Sequence, residues 1–259
     1  MSKLQGKVAC ITGGTRSIGR AMAEAFLAEG ARVVINGRDK TKGERCLEDM
    51  GAGDRAAFFP GDASRQDTVE GLVDFTIAQF GQLDICCLNS GGVLHTAPVV
   101  DMTDEEWQLE VDWNLNQVFW GMRRALKHML PRQSGRILVT SSVEGKMGKP
   151  GIPGYVATKH AVNGLVKAAA REVGTSGITV NAILPGLIET DIVQHSGPDT
   201  AKAMGLTYDE MVATFAKDSA IKRPNTVEEV AAAAVLLASD AARNITGCLF
   251  PVDGGTMPY

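Results

Sequence analysis

The chain has 259 residues, 44% of them hydrophobic and 22% charged, with a formal net charge of −4; this is a globular composition, long enough to bury a sizeable core. The charge balance offers no basic excess for nucleic acid or an anionic membrane, and no apolar run approaches the roughly 20 residues of a membrane span. The N-terminus has no signal-peptide layout, so a cytoplasmic protein is expected, and the five cysteines show no metal-ligand spacing, so no metal is expected.

The predicted elements alternate strand and helix. A strand over 7–11 leads through a glycine-rich turn into a helix over 17–29, stopped by Gly30. A strand over 32–36, a helix over 41–50 and a short strand over 56–60 follow. A helix over 66–80, ended by Gly81, precedes a strand over 84–88, where Cys86 and Cys87 read as small hydrophobes. A long helix over 104–130 closes at Pro131. Next come a strand over 136–141, a helix over 155–173 and a strand over 178–184. From 187 to 225 the pattern weakens, and a functional lid with a short helix over 207–217 is expected. A helix over 227–238 and a strand over 248–252 finish the chain. Repeated β-α-β units with almost continuously apolar strands imply helices on both faces of a parallel sheet. The expected fold is α/β: one Rossmann-type, doubly wound domain over 1–259 with about seven parallel strands.

Thr12-Gly13-Gly14-Thr15-Arg16-Ser17-Ile18-Gly19 lies directly between the first strand and the first helix. Glycine there lets the backbone approach a pyrophosphate, and the helix N-terminus supplies free N–H groups and the positive end of its dipole. Arg16 lies in this loop and Arg38 just past the second strand, where an NAD-selective fold usually carries an acidic residue. Asn36 and Gly37 leave no carboxylate to repel a 2′-phosphate, which Arg38 can bind with charge-assisted bonds. NADP(H) is therefore the expected cofactor, with Asp39 the one feature pointing the other way.

Tyr155-Val156-Ala157-Thr158-Lys159 sets a phenol and an ammonium at i and i+4, on one helix face. Hydride addition to a ketone develops charge on the carbonyl oxygen, which an acid must protonate. An ammonium beside the phenol is expected to lower its pKa toward neutrality. Ser142, thirteen residues earlier at a strand end, can hydrogen-bond the same oxygen. Glu144 has two readings: a solvated charge paired with Lys146 or Lys149, or a carboxylate aimed at the substrate. His95 has two readings as well: a residue of the substrate mouth, or a surface or hydrogen-bonded histidine. Trp107, Trp113 and Trp120 read as core or subunit interface, with a substrate box the alternative.

These motifs resemble the short-chain dehydrogenase/reductase family, and the resemblance covers the whole chain. Thr12, Gly13 and Gly19 match the family's first loop, with Ser17 in place of its middle glycine; Asn89-Ser90-Gly91 matches its N-N-A-G segment, with Leu88 in place of the first Asn. The resemblance implies cofactor binding by Gly13, Thr15, Arg16, Ser17, Ile18, Gly19, Arg38, Asp62, Ala63, Asn89, Gly91, Tyr155, Lys159, Pro185, Gly186, Ile188 and Thr190. It implies catalysis by Asn114, Ser142, Tyr155 and Lys159, with Lys159 also on the nicotinamide ribose, and Asn114 holding a water relay behind that lysine. It further implies a homotetramer built on the 104–130 and 155–173 helices. The expected activity is reduction of a small ketone or 3-oxoacyl substrate, as in 3-oxoacyl-[acyl-carrier-protein] reductase-like ketoreductases. An NAD-dependent hydroxy-acid or polyol dehydrogenase is the alternative, and a non-catalytic dinucleotide sensor the alternative of another class.

Overall fold

The computed structural model describes residues 2–190, 197–199, 201–202 and 204–256. Seven strands form one sheet: β1 (Val8–Ile11), β2 (Arg32–Gly37), β3 (Ala56–Pro60), β4 (Ile85–Leu88), β5 (Gly135–Thr140), β6 (Ile178–Pro185) and β7 (Leu249–Val252). All pairings are parallel, in the order β3-β2-β1-β4-β5-β6-β7. The helices lying wholly within the described residues are α1 (Ser17–Ala28), α2 (Lys40–Met50), α3 (Gln66–Phe80), α4 (Asp104–Val111), α5 (Gln117–Arg132), α6 (Pro153–Val173), α7 (Tyr208–Ala216) and α8 (Val227–Ala238). Among the described residues, none of them is long and apolar enough to cross a membrane.

Side chains alternate along each strand, so the sheet feeds two cores. Ala9, Ile11, Val33 and Ile35 pack with Met22 and Phe26 of α1 and Val230, Ala234 and Leu237 of α8. Cys10, Val34, Cys86 and Ile137 face the other way, onto Leu72 of α3, Val118 and Met122 of α5, and Val162 and Val166 of α6. The chain moves outward from β1 through β2 to β3, then restarts at β4 and moves the other way. The strand order therefore reverses between β1 and β4, and ligands of such sheets bind beyond the carboxyl ends of the strands at that switch point.

Three expectations change. The helix over 104–130 is two helices joined by a five-residue π-helical segment, Asp112–Asn116, which a 3.6-residue hydrophobic period cannot reveal. Nor does it close at Pro131. That proline sits in the last turn of α5, which ends when Gln133 turns left-handed (φ 49°) and donates to the Leu130 and Met129 carbonyls. The helix expected over 155–173 starts two residues earlier, with Pro153 preset for its first turn. The short helix expected over 207–217 is α7 with both end residues as caps; Thr207 and Glu210 form a capping box. Of the expected lid, 191–196, 200 and 203 lie outside the described residues. Its described part is tied back to the sheet end by a bridge between Ile188 and Asn225.

Candidate active site

The loop after β1 is fastened from three sides. The Thr12 hydroxyl accepts from the N–H groups of Asn89 (2.9 Å) and Ser90 (3.0 Å). Asn89 donates to the Thr12 carbonyl (3.1 Å) and accepts from the Thr140 hydroxyl (3.0 Å), joining β1, β4 and β5. Gly14 N–H donates to the Asn36 carbonyl (2.9 Å). Gly19 must lack a Cβ, because one there would overlap the Gly13 carbonyl and the Asn89 amide. Ser17 stands at φ 50°, a left-handed conformation that suits glycine and costs a side-chain-bearing residue about 1–2 kcal/mol. Leu88 is simply core: it is buried against Gly121 of α5, and its neighbour Asn89 makes the polar contacts.

This cradle fits a dinucleotide. The first residue flanking α1, Arg16, makes no side-chain cap, and the first turn carries no acidic residue, so the amide N–H groups around Ser17, Ile18 and Gly19 are left for an anion. Gly37 lies against Thr15, where a Cβ would come within 2.7 Å of its methyl. Arg16 and Arg38 are exposed beside the loop. The Arg38 guanidinium lies 6.0 Å from the centroid of the Trp113 ring, so this indole also faces the arginine. Asp39, the contrary feature, is committed to capping α2 by accepting from Lys42 N–H (3.0 Å). Asn36 is buried and ties β2 to β3 through the Phe59 and Gly61 carbonyls. Asp62 follows β3 and accepts from Ser64 N–H (3.0 Å), with Ala63 buried beside it. At the end of β6, Pro185 is buried, Gly186 N–H donates to the Val252 carbonyl (3.0 Å), and Thr190 N–H donates to that of Ile188 (2.9 Å).

Tyr155, Lys159 and Ser142 meet on the β4–β6 side of the switch point. Ser142 lies just past β5 and starts a 3-10 turn over Val143–Gly145. Lys159 is buried; its ammonium donates to the Thr140 carbonyl (2.8 Å) and stands 5.5 Å from the centroid of the Tyr155 ring. Burial pushes Lys159 down to about 8, while the Glu110 and Glu144 carboxylates push it back up. The Tyr155 phenol behaves contrary to expectation. It keeps some surface open, yet the protein around its hydroxyl pushes it well above its ordinary value; Ser142 pulls it back, and Glu144 and Glu110 add to the rise. The reason is geometric, since Lys159 stands over the ring and spends a hydrogen bond on Thr140. The phenol is thus held in its acid form.

Glu144 is paired with Lys149, as in the first of its two readings, and also meets Ser142. Its Oε2 accepts from the Ser142 hydroxyl, its backbone N–H donates to Ser142 Oγ (3.2 Å), and its other oxygen pairs with Lys149 (3.6 Å). Lys149 also lies 5.5 Å from the Phe215 ring of α7. His95 N–H donates to Glu110, while His95 Nδ1 is shielded and makes no hydrogen bond among the described residues. Asn114, in the π segment, is fully buried and is held by Gly92 and Glu110. Glu110 itself is absent from the sequence-based candidates. Nothing in the pattern of α4 marks this acidic residue as buried, because α4 carries three other acidic residues, Asp104, Glu105 and Glu106.

Comparison with known proteins gives a consistent picture. The family model described as enoyl-(acyl carrier protein) reductase matches residues 13–257. The chain is 36% identical to a 3beta-hydroxysteroid dehydrogenase of Mediterraneibacter gnavus, over all of this chain and 98% of that protein. It is 38% identical to the 3-oxoacyl-[acyl-carrier-protein] reductase FabG of Staphylococcus aureus, covering 96% of this chain and 97% of that one. The crystal structure of a single-residue variant of actinorhodin polyketide ketoreductase with NADPH superposes with a TM-score of 0.92 at 30% identity, over the full length of both chains.

Proposed function

The chain belongs to the short-chain dehydrogenase/reductase family and is an NADP(H)-dependent oxidoreductase interconverting a ketone and a secondary alcohol, and we propose that Ser142, Tyr155 and Lys159 carry its reaction, with reduction as the working direction. The observation behind this reading is the meeting of a protonated phenol, a buried ammonium and a serine hydroxyl across β4 from the phosphate loop. When bound, the nicotinamide supplies the hydride. Tyr155 gives its proton to the carbonyl oxygen, and Ser142 donates a hydrogen bond to the same oxygen. Ser142 must first turn its hydroxyl from Glu144, while the Glu144 N–H keeps the serine oxygen in place. Lys159 holds the nicotinamide ribose, and Asn114 supports it from behind. The family description names an enoyl reduction, but two hydroxyl donors converging on one oxygen suit a carbonyl better than a carbon–carbon double bond. A small ketone or 3-oxoacyl compound is the proposed substrate.

Gly13, Thr15, Ser17, Ile18 and Gly19 are proposed to hold the pyrophosphate, Asp62 and Ala63 the adenine, Asn89 and Gly91 the ribose side, and Pro185, Gly186, Ile188 and Thr190 the nicotinamide. Arg38, with Arg16, is proposed to select the 2′-phosphate. Wild type should show a higher kcat/KM with NADPH than with NADH. Arg38→Ala should cut that preference about 10- to 100-fold, the value of one or two charge-assisted hydrogen bonds. Equal kcat/KM for the two cofactors in wild type would sink the assignment.

Residues 187–225 are proposed to form the substrate lid within the single domain, with Glu144 and His95 at the substrate. A carboxylate beside the reacting carbonyl repels an anionic substituent and suits a hydroxyl or amine there. Glu144→Ala should therefore reorder kcat/KM across ketones that differ in the charge next to the carbonyl. An unchanged ranking makes Glu144 only the partner of Lys149 and Ser142. We further propose a cytoplasmic homotetramer. Its support is family membership, the exposed Trp107, Leu109, Phe119 and Leu130 on α4 and α5, and the exposed small residues Ala161, Gly164 and Ala168, near Ala157, on α6. Sedimentation giving only monomer at micromolar concentration contradicts it.

A further inference from the structure

Glu110 has no solvent-exposed surface, and no other carboxylate among the described residues is as deeply buried. A charge taken out of water must find partners. Oε1 accepts from the backbone N–H groups of Leu94 (2.7 Å) and His95 (3.0 Å), and Oε2 from the Asn114 amide (2.7 Å). Asn114 in turn accepts from Gly92 N–H (2.9 Å) and donates to the Gly92 carbonyl (3.0 Å). Gly154, the residue before Tyr155, lies so close that a Cβ on it would stand 2.9 Å from the Glu110 Cγ. One side chain thus touches the loop after β4, the π segment and the first turn of α6. The point where a Cβ on Gly91 would lie is 2.8 Å from Asn114 Oδ1 and 3.2 Å from Lys159 Nζ, so the network borders the ammonium. The Glu110 charge favours that ammonium.

We propose that Glu110 is a positioning residue for the reaction: its carboxylate is the buried counter-charge of Lys159 and clamps Asn114 and the Leu94–His95 backbone, without touching substrate. The proposal rests on reading Tyr155 and Lys159 as the reacting pair. The other titratable groups acting on Lys159 are Tyr155 on its own helix and Glu144 from the turn after β5. Asp112 in the π segment is turned onto Gln108 and Asn116, Glu106 of α4 is spent on the Thr103 cap, and Thr179 and Asn181 of β6 are uncharged.

The test is a titration of the apoprotein carrying ¹⁵N-labelled lysine, with the Lys159 Nζ resonance identified by its loss in Lys159→Met. Glu110→Gln keeps the shape and one acceptor oxygen but removes the charge. The Lys159 midpoint should fall by about one pH unit in that variant, and stay within about 0.3 unit of wild type in Glu110→Asp, which keeps the charge. The alkaline limb of kcat for ketone reduction should move with it. An unmoved midpoint in folded Glu110→Gln overturns the counter-charge, and so does an equal fall in Glu110→Asp. Should Glu110→Gln not fold, amide exchange in wild type decides. Leu94 and His95 N–H are expected to be protected by at least about 100-fold although they lie in an irregular loop, and free exchange overturns the clamp. The apoprotein titration needs no turnover, so a wild type that reduces no ketone would count against the proposed reaction while leaving the role of Glu110 readable.

Discussion

Replacing Tyr155 with phenylalanine is expected to lower kcat for ketone reduction by about 10²–10⁴-fold, the contribution of a positioned general acid, and to leave the dissociation constant of NADPH within about threefold of wild type. The substitution removes one hydroxyl and keeps the ring. The phosphate loop is fastened through Thr12, Asn89 and Gly19 and does not involve that hydroxyl. Because burial and the Glu110 and Glu144 charges hold the phenol protonated, wild type should remain competent for reduction on its alkaline side until another group titrates. Near wild-type turnover by Tyr155→Phe, on a substrate with kcat/KM above background, means that a different group supplies the proton.

Lys159→Ala is expected to lose on both counts, with weaker NADPH binding and lower kcat together bringing kcat/KM down by about 10³-fold or more. The buried ammonium is also a cost to the fold, and the sign follows from its pKa. In the folded apoprotein Lys159 titrates at about 8 instead of 10.5, so between those values the unfolded chain binds the extra proton. Stability is therefore full above about pH 10.5 and declines as pH falls to about 8, by about 3 kcal/mol in total. Relative to Lys159→Met, wild-type apoprotein should gain stability as pH is raised across this window, as read by denaturant unfolding. Parallel stability curves would show that the amine is not buried as described. The NADPH affinity of wild type should also weaken above about pH 8, by up to tenfold per pH unit, as the ammonium is lost.

Much of this was legible beforehand, because the strongest signals are local. Gly13 to Gly19 sit between an apolar strand and an amphipathic helix, and the i, i+4 spacing of Tyr155 and Lys159 fixes their common face before any tertiary contact is known. The sheet was readable because both faces are covered, which writes strands such as Val8–Ile11 and Ile85–Leu88 as unbroken apolar runs. What escaped depends on contacts between distant segments. The π segment that turns Asn114 inward leaves no mark in helical periodicity. Glu110 looks like any acidic residue of an acidic helix until α6 and the loop after β4 close over it. The direction in which the Tyr155 phenol is shifted depends on where Lys159 Nζ points, and the i, i+4 spacing alone favours the opposite answer. Ser17 stands where the family's middle glycine is expected, and only the backbone shows that it occupies a left-handed conformation.

The measurement closest to the central claim is a single turnover of wild type with NADPH deuterated at C4, tried in each of its two diastereomers against a panel of small ketones and 3-oxoacyl thioesters. One diastereomer is expected to deliver its deuterium to the carbinol carbon of a secondary alcohol, one alcohol per NADPH oxidised, and Tyr155→Phe with bound NADPH to do so at least about 100-fold more slowly. NADPH oxidation without deuterium at a carbinol carbon, or delivery to an alkene carbon of an unsaturated substrate with ketones left untouched, would contradict it.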